Sequence, residues 1–189
     1  KQKPTLSLAN NQKALVIVDN FAKYYAINIK TGELLWSKRN SAPFNSQIKI
    51  YKDKFFVTDF DNVLKCFSIK DGKELWNVKT ETTFIKSQKK LSLVILSGKV
   101  YFNNSIGDIS AVDINSGNLI WQTPTQSSSI YESAFLLKTS DLVANDESIL
   151  LSNNKNEFFS INANTGILNW KQKINSNLRP TIVDNLVFT

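Results

Sequence analysis

Histidine and methionine are absent from this sequence of 189 residues, and cysteine occurs once, as Cys66. Without histidine the chain lacks the commonest metal ligand and general base of proteins, and it cannot form a Ser-His or Cys-His nucleophile pair. A single cysteine excludes an internal disulfide and a cysteine-based zinc cluster. We therefore expect no catalytic residues, no metal site and no cofactor, and we expect that the protein is not an enzyme.

Long hydrophobic runs are also absent. The strongly apolar segments are five or six residues long, as in "ALVIV" and "LSLVIL", whereas a membrane-spanning helix needs roughly 18 apolar residues. No signal peptide is visible. A chain without even an initiator methionine is expected to be a processed or excised piece, so membrane association would require an N-terminal anchor that these residues do not contain.

Arginine is scarce although the chain is basic, with a net charge of +7. Residues 1–99 carry 18 Lys/Arg and 8 Asp/Glu, whereas residues 100–189 carry 5 and 8. The two arginines are Arg39 and Arg179. This charge is either the consequence of a Lys- and Asn-rich composition or a basic face for an acidic partner or an anionic membrane surface. Few arginines, and lysines not interleaved with aromatic residues, argue against nucleic-acid binding.

Tryptophan is present four times, each time four residues after a glycine, in "IKTGELLW", "IKDGKELW", "INSGNLIW" and "ANTGILNW". The tryptophans are separated by 40, 45 and 49 residues, the period of a propeller blade or of a long helical repeat. The segments between them are short, β-branched and aromatic, which excludes helical repeats. The glycines are Gly32, Gly72, Gly117 and Gly166, and the tryptophans are Trp36, Trp76, Trp121 and Trp170.

Other positions of the repeat are also regular. A short hydrogen-bond acceptor stands four residues before each glycine and is expected to bind backbone N–H groups of a tight turn, in which glycine supplies a positive φ. A small residue stands six before each glycine, and we expect it to leave room for a ring from an adjacent unit. We expect the four tryptophans to be buried between units. The acceptors are Asn28, Ser68, Asp113 and Asn162, and the small residues are Ala26, Cys66, Ala111 and Ser160.

The pattern predicts an all-β fold, a β-propeller of four-stranded antiparallel blades in one region spanning 1–189. About four and a half blades are expected, which suggests a partial or half propeller; a closed ring of four blades is the alternative. Open blade edges make self-association plausible. The predicted blades are 5–36, 47–76, 91–121 and 134–170, with 180–189 beginning a fifth.

The segment "AVDINSGNLIW", from Ala111 to Trp121, resembles the tryptophan-docking motif of PQQ-like β-propeller repeats, A-x-D-x-x-x-G-x-x-x-W. It differs from WD40 repeats because no tryptophan here is followed by aspartate. The segment after Trp36, "KRNSAPFNSQIKIYKDKFFVTD", is similar to the BamB family of the bacterial outer-membrane β-barrel assembly machinery. Arg39, Ser41, Ala42 and Pro43 carry this likeness; Lys38 and Asn40 depart from it.

The BamB resemblance implies a non-catalytic, protein-binding scaffold on the periplasmic side of the outer membrane, whose partner is the barrel-assembly subunit. It implies that partner binding involves the connector residues Lys38, Arg39, Asn40 and Ser41. A PQQ-like binding or sensory domain for an unknown ligand is the alternative, and a quinoprotein dehydrogenase fragment is a third reading.

The charges support a candidate face for the partner. Connectors from the last strand of one blade to the first strand of the next are expected to be basic, whereas the short loops between second and third strands are expected to be acidic; both lie on one propeller face. The connector charges are Lys38, Arg39, Lys79, Lys86, Lys89, Lys90, Lys171, Lys173 and Arg179 against Glu81 and Glu132, and the loop charges are Asp19, Asp59, Asp61, Asp108 and Glu157 against Lys23 and Lys155.

Overall fold

The computed structural model describes residues 3–82, 89–125, 139–153 and 155–189. Within these ranges the regular secondary structure is β-strand, and no helix is long and apolar enough to cross a membrane. The predicted start of the fourth blade, residues 134–138, lies outside the described residues, as do Lys86 and Glu132.

Four four-stranded sheets follow one another along the chain, and in each the strands pair antiparallel in sequence order. A two-stranded sheet, β17–β18, comes last. The predicted fold class, an all-β array of PQQ-like blades, is confirmed. The strands are β1 (Leu6–Asn10), β2 (Ala14–Asp19), β3 (Lys23–Asn28), β4 (Leu34–Arg39), β5 (Lys49–Tyr51), β6 (Lys54–Thr58), β7 (Val63–Ser68), β8 (Glu74–Lys79), β9 (Leu93–Leu96), β10 (Lys99–Asn103), β11 (Ile109–Asp113), β12 (Leu119–Thr123), β13 (Val143–Ala144), β14 (Ser148–Ser152), β15 (Glu157–Asn162), β16 (Leu168–Lys173), β17 (Thr181–Val183) and β18 (Leu186–Phe188).

The two middle strands of each four-stranded sheet form the core. Strands such as β6 and β7 are apolar and almost fully buried along their length, because both of their faces are covered. The fourth strand, by contrast, is largely exposed in β4 and exposed throughout in β16. The burial pattern therefore matches the continuous apolar runs of the second and third strands, rather than a simple alternation.

The glycine turn joins the third and fourth strands, as the repeat predicts. Gly32 has a φ of 73°, and its N–H donates to the carbonyl of Asn28 at 2.8 Å. The Asn28 side-chain oxygen accepts from the backbone N–H groups of Lys30 and Thr31 at 2.9 and 3.2 Å. Asp113 and Asn162 make the same pair of bonds in their own turns. The predicted role is confirmed for Asn28, Asp113 and Asn162; in the second sheet the Lys73 N–H donates to Asp71 instead of Ser68.

The fourth strand continues for two or three residues beyond each tryptophan, so β4 ends at Arg39 and β16 at Lys173. The sequence interpretation placed Lys38, Arg39, Lys79, Lys171 and Lys173 in connectors, and this is wrong. The backbone hydrogen bonds to the third strand extend past the tryptophan, because backbone pairing in a hairpin does not depend on the side chain at that position. These basic residues lie on edge strands, whose backbones hold their positions.

The chain divides into two compact units, Lys1–Thr80 and Glu81–Thr189. In the first unit the core lies between the first two sheets, with Val16, Tyr24 and Ala26 facing Phe55 and Phe67. In the second unit the equivalent core joins the third and fourth four-stranded sheets, and it contains Tyr101, Ile109, Ala111, Leu151 and Phe159. Each unit thus buries two facing sheets against one another.

Candidate partner-binding site

The tryptophans hold the blades of each unit together. The ring of Trp36 lies against the glycine turn of the second sheet, where a β-carbon on Gly72 would be 2.8 Å from Trp36 Cε3. The indole N–H donates to the carbonyl of Ile69 at 2.8 Å, and the ring stacks on Phe55 with centroids 6.1 Å apart. The hydroxyl of Tyr24 donates to the Gly72 carbonyl at 3.2 Å. The first blade therefore contacts the turn of the next.

The same arrangement recurs in the second unit. Trp121 is 9% exposed, and its N–H donates to the carbonyl of Ala163 at 3.2 Å. A β-carbon on Gly166 would be 2.6 Å from Trp121 Cδ2, and the hydroxyl of Thr123 donates to the Gly166 carbonyl at 2.5 Å. Ile69 and Ala163 both stand three residues before their glycine. The glycine thus has two functions, since it adopts a positive φ and leaves room for an indole ring.

Each small residue described here lies opposite the tryptophan of its own sheet. Ala26 pairs in register with Trp36 of its own sheet, and Ala111 pairs with Trp121. The tryptophan ring extends from this pair to the glycine turn of the following sheet, instead of lying on the small residue of that sheet. A small side chain opposite each tryptophan gives the ring space to leave its own sheet.

Two of the tryptophans lie in different surroundings. Trp76 is partly buried and contacts Phe56 at a centroid distance of 5.7 Å; its N–H is buried and has no hydrogen-bond partner among the described residues. Trp170 is 40% exposed, so the prediction that it is buried is wrong. It stacks on Phe158 of its own sheet at 5.9 Å. No further Gly-x-x-x-Trp turn follows it in the 189 residues to cover the ring.

The predicted partner-binding residues begin at the end of β4. Arg39 is the last residue of the strand and pairs in register with Lys23 of β3. Lys23, Lys38 and Arg39 are all exposed. Lys23 and Arg39 are cross-strand neighbours on one face of the sheet, whereas Lys38 points to the opposite face, because successive side chains of a strand alternate. Two cationic side chains therefore lie side by side, which favours contact with an anionic group.

Asn40, which is predicted to bind the partner, makes several contacts within its own unit. Its side-chain amide donates to the carbonyl of Ala42 at 2.9 Å and to a carboxylate oxygen of Asp59 at 3.2 Å. Its backbone N–H donates to the carbonyl of Ala22 at 2.7 Å. The N–H donors of Asn40 are used inside the unit, and they connect the end of β4 to the second sheet.

Asp59 is the buried partner of Asn40. It is 1% exposed, and burial raises the pKa of its carboxyl, although hydrogen bonds from the Val63 backbone and the Asn40 side chain act in the opposite direction. One of its oxygens accepts from the N–H groups of Asp61 and Val63 at 2.9 and 3.1 Å. Its charge is therefore shielded from solvent and does not contribute to an acidic surface.

Other residues of the loops between second and third strands are also used in turns or buried, so these loops form less of an acidic surface than expected. Asp19 accepts from the backbone N–H groups of Phe21 and Lys23, and Asn104 and Asn153 make equivalent bonds in their sheets. Asp19, Asp59 and Asp108 are buried. The role of these side chains as acceptors for loop N–H groups was not predicted, although the sequence contains a signal for it. An Asp or Asn stands thirteen residues before every repeat glycine, at Asp19, Asp59, Asn104 and Asn153.

Lys38 lies close enough to the second sheet for its charge to act on Asp71. The pKa of Asp71, in the turn that receives Trp36, is lowered first by the Lys73 backbone N–H and next by Ser68, with the charge of Lys38 also contributing. Arg39 and Ser41 are exposed, and neither side chain makes a hydrogen bond or ion pair with another described residue. Of the four predicted residues, Lys38, Arg39 and Ser41 are exposed, and Asn40 is partly buried.

The segment beyond Ser41 is firmly attached. Ala42 and Phe44 are 6% and 5% exposed, Phe44 forms an isolated bridge with Asp59, and the Phe60 N–H donates to the Pro43 carbonyl at 2.8 Å. The backbone on both sides of Arg39 is thus fixed by hydrogen bonds. Residues 3–189 match the family model described as "Outer membrane protein assembly factor BamB".

The chain belongs to the BamB family.

Two curated BamB proteins are similar to this chain. The protein from Moranella endobia is 22% identical over 177 residues, which cover 92% of this chain and 45% of that protein. The protein from Kangiella koreensis is 24% identical over 135 residues, 62% of this chain and 33% of that protein. The chain therefore spans less than half the length of these two BamB proteins.

Solved structures agree on the fold. The crystal structure of BamB from Moraxella catarrhalis superposes with a TM-score of 0.75 at 16% identity, over 97% of this chain and 56% of that chain. A europium-containing methanol dehydrogenase superposes with a TM-score of 0.65 at 14% identity, over 89% of this chain and 42% of that chain. At these identities the likeness is one of fold, and it is shared by a BamB protein and an enzyme.

The single thiol of this BamB-family chain lies in the core. Cys66 is fully buried, pairs in register with Trp76, and burial raises the pKa of its thiol to about 12. A thiol in this environment is the un-ionised, unreactive form at neutral pH. Among the described residues no group of three or more His, Cys, Asp or Glu side chains is placed to hold a metal ion.

Proposed function

We propose that this chain is part of a non-catalytic, protein-binding scaffold that acts in the assembly of outer-membrane β-barrel proteins, on the periplasmic side of the outer membrane. Membership of the BamB family over residues 3–189 supports this. Two similar proteins carry the name of outer-membrane assembly factor. The proposed partner is the barrel-assembly subunit of the same machinery.

The observation that carries the proposal is the state of Arg39. The guanidinium is exposed and is not paired with another described residue, while its backbone lies at the end of a hydrogen-bonded strand. A fixed backbone reduces the entropy lost on binding. A guanidinium forms two parallel hydrogen bonds with a carboxylate, which an ammonium group does not reproduce. Arg39 therefore suits a carboxylate on a protein partner.

The neighbouring residues have supporting functions in this proposal. Ser41 offers a short hydroxyl beside Arg39, whereas Asn40 keeps the segment in place through Ala42 and Asp59. Lys23, the cross-strand neighbour of Arg39, adds positive charge beside the guanidinium and would speed the approach of an acidic surface.

The test is binding of Arg39→Glu to the periplasmic domains of the barrel-assembly subunit from the same organism. Lys13→Glu is the matched control, because Lys13 is exposed in a turn at the other end of the same sheet. Lys52 is less suitable, since it has a φ of 55° and its ammonium lies 5.2 Å from the Tyr51 ring centroid. We expect Arg39→Glu to weaken binding at least about tenfold, and Lys13→Glu to weaken it much less.

Equal losses in the two variants would mean that net charge alone matters and would remove Arg39 from the site. The scaffold proposal would be contradicted if the unmutated protein, tested at full length, did not bind the subunit. Asn40→Ala serves as an internal check: it should lower stability, and any loss of binding should follow the loss of folded protein.

A further inference from the structure

A cleft lies in the Glu81–Thr189 unit, whereas the residues assigned to partner binding above belong to the Lys1–Thr80 unit. It has a volume of about 510 Å³, and its walls are formed by β13 with its following turn and by the segment that enters β17. This volume is within the range of about 300–1,000 Å³ that is common for ligand-binding clefts. Val143, Ala144 and Ile182 supply apolar surface, and Asn145 and Thr181 supply polar groups.

The charge of this cleft is uncompensated. Arg179 is the one charged residue among those that line it, and its side chain is exposed. No described residue forms an ion pair or hydrogen bond with this guanidinium. A cationic group beside apolar surface, with no carboxylate among the described lining residues, is complementary to an anionic group attached to an apolar one.

The position of Arg179 is restricted by its neighbours. Pro180 follows it and is buried, so its ring is held in the unit, and a residue before proline is confined to extended conformations. The guanidinium therefore extends from a stiff backbone, which is a favourable state for binding.

The strands beside the cleft are edge strands. β13 pairs with β14, and β17 pairs with β18, and neither has a second strand partner among the described residues. β13 has two residues and β17 has three. An extended peptide has backbone groups that match such edges, and its alternating side chains can place one carboxylate and one apolar group on the same side.

We propose that this cleft is a second protein-binding site, which takes an extended acidic segment of a partner. One carboxylate of that segment pairs with Arg179, and an apolar side chain beside it lies between Val143 and Ile182. This site is distinct from Arg39 and does not depend on the identity of the partner proposed above.

The experiment is an NMR titration of the 189-residue chain with two blocked pentapeptides, acetyl-Thr-Val-Thr-Glu-Thr-amide and its neutral isostere acetyl-Thr-Val-Thr-Gln-Thr-amide, in which the second and fourth side chains lie on the same side of an extended strand. We expect the acidic peptide to shift the amide signals of Val143, Ala144 and Ile182, and the neutral peptide to bind at least about tenfold more weakly. Arg179→Gln should remove that preference, and Arg179→Lys should restore part of it. Lys173→Gln, at the end of exposed β16, should leave it unchanged.

Three outcomes would overturn the proposal. They are equal binding of the two peptides, unchanged binding by Arg179→Gln, and displacement of the acidic peptide by an equal concentration of acetate, which would indicate a simple anion site. Thermal unfolding of each variant confirms that it is folded before it is titrated. Because Arg39→Glu is not used here, failure of this test would leave the scaffold proposal intact.

Discussion

At the scale of single residues, short polar side chains shape both ends of each blade. Asp and Asn carboxylates and amides accept backbone N–H groups in the turns between second and third strands, and again in the glycine turns. Each such bond satisfies a donor that the strands leave unpaired. The two kinds of turn differ in burial, because Asp59 is buried whereas the glycine turns are mostly exposed.

The burial of Asp59 predicts a pH-dependent contribution to stability. Its folded-state pKa is raised by burial, so the folded protein holds its proton more tightly than the unfolded chain does. The stabilising contribution is therefore present below the ordinary pKa of 3.8 and is lost as pH rises through the folded-state pKa. As pH rises from about 3 to about 7, the free energy of unfolding of the parent should therefore fall relative to that of Asp59→Asn.

Urea unfolding of the parent and of Asp59→Asn across that pH range measures the difference, and other titrating groups cancel between the two proteins. A difference that grows in favour of the parent as pH rises would show that the folded-state pKa of Asp59 is lowered, contrary to this expectation. The NMR titration of the Asp59 carboxyl carbon gives the direction independently.

At the scale of elements, each unit is connected by a tryptophan of one sheet and a glycine turn of the next. The indole N–H reaches a carbonyl three residues before that glycine, and the ring occupies the space that a β-carbon would fill. This combines hydrogen bonding, burial of a large aromatic surface and a close backbone approach in a single contact.

Glycine substitutions separate the two functions of that residue. Gly32 and Gly72 have similar φ values of 73° and 65°, but a β-carbon on Gly32 has no atom within 4 Å, whereas one on Gly72 lies 2.8 Å from the Trp36 ring. Gly32→Ala should therefore cost about 1–2 kcal/mol from backbone strain alone. Gly72→Ala should cost about 1–3 kcal/mol more, because the ring must move.

Chemical denaturation of both variants measures these costs, and the Trp36 indole N–H signal reports the ring. We expect that signal to shift in Gly72→Ala and to stay in place in Gly32→Ala. Equal destabilisation by the two substitutions would mean that the turn conformation, and not the space for Trp36, accounts for the glycine.

The tryptophans themselves provide a second comparison within one unit. Trp121 is 9% exposed and bonded to Ala163, whereas Trp170 is 40% exposed. Trp121→Ala should cost about 3–5 kcal/mol, the range for a large buried side chain. Trp170→Ala should cost less than about half of that, since much of its ring remains in contact with solvent. Similar losses in thermal or urea unfolding would contradict the assigned role of the glycine turn in burying Trp121.

The regular spacing of glycine and tryptophan was sufficient to predict the sheets. The glycine lies in a tight turn and the tryptophan in the strand that follows it, so their four-residue spacing depends on local structure alone. The acceptor at Asn28 was predictable for the same reason. The contact of Trp36 with Gly72 was not, since the sequence does not specify which sheet a ring faces. The contact of Asn40 with Asp59 was not predictable either, because Asp59 is nineteen residues away in the chain and is brought close by the packing of two sheets.

Arg39 was recognised from the resemblance of its surroundings, whereas Arg179 was noted as a charge and its cleft was not predicted. A cleft formed by β13 and the segment entering β17 depends on tertiary packing. The sequence signal available there was limited to an arginine followed directly by a proline, which is too short to indicate a site.

At the scale of the whole molecule, the net charge is concentrated in one part of the chain. Lys1–Thr80 carries 14 Lys/Arg and 7 Asp/Glu, a net +7, whereas Glu81–Thr189 carries 9 of each, a net charge of zero. A concentrated positive charge accelerates encounters with an acidic partner, and salt screens this effect over about 8–10 Å. Long-range attraction and direct contact should therefore be separable in this protein by kinetics.

Lys13 and Lys30 are exposed in turns of the first sheet, and reversing both charges lowers the net charge of Lys1–Thr80 from +7 to +3. We expect Lys13→Glu with Lys30→Glu to slow association with the barrel-assembly subunit while leaving dissociation unchanged, because neither residue is assigned to the contact. Arg39→Glu should mainly speed dissociation, because it removes the proposed direct pair.

Surface plasmon resonance at low and high salt measures both rates. The double variant's defect should diminish as salt rises, whereas that of Arg39→Glu should persist. If all of the Arg39→Glu defect disappeared at high salt, Arg39 would be one more steering charge and its assignment to the contact would be wrong.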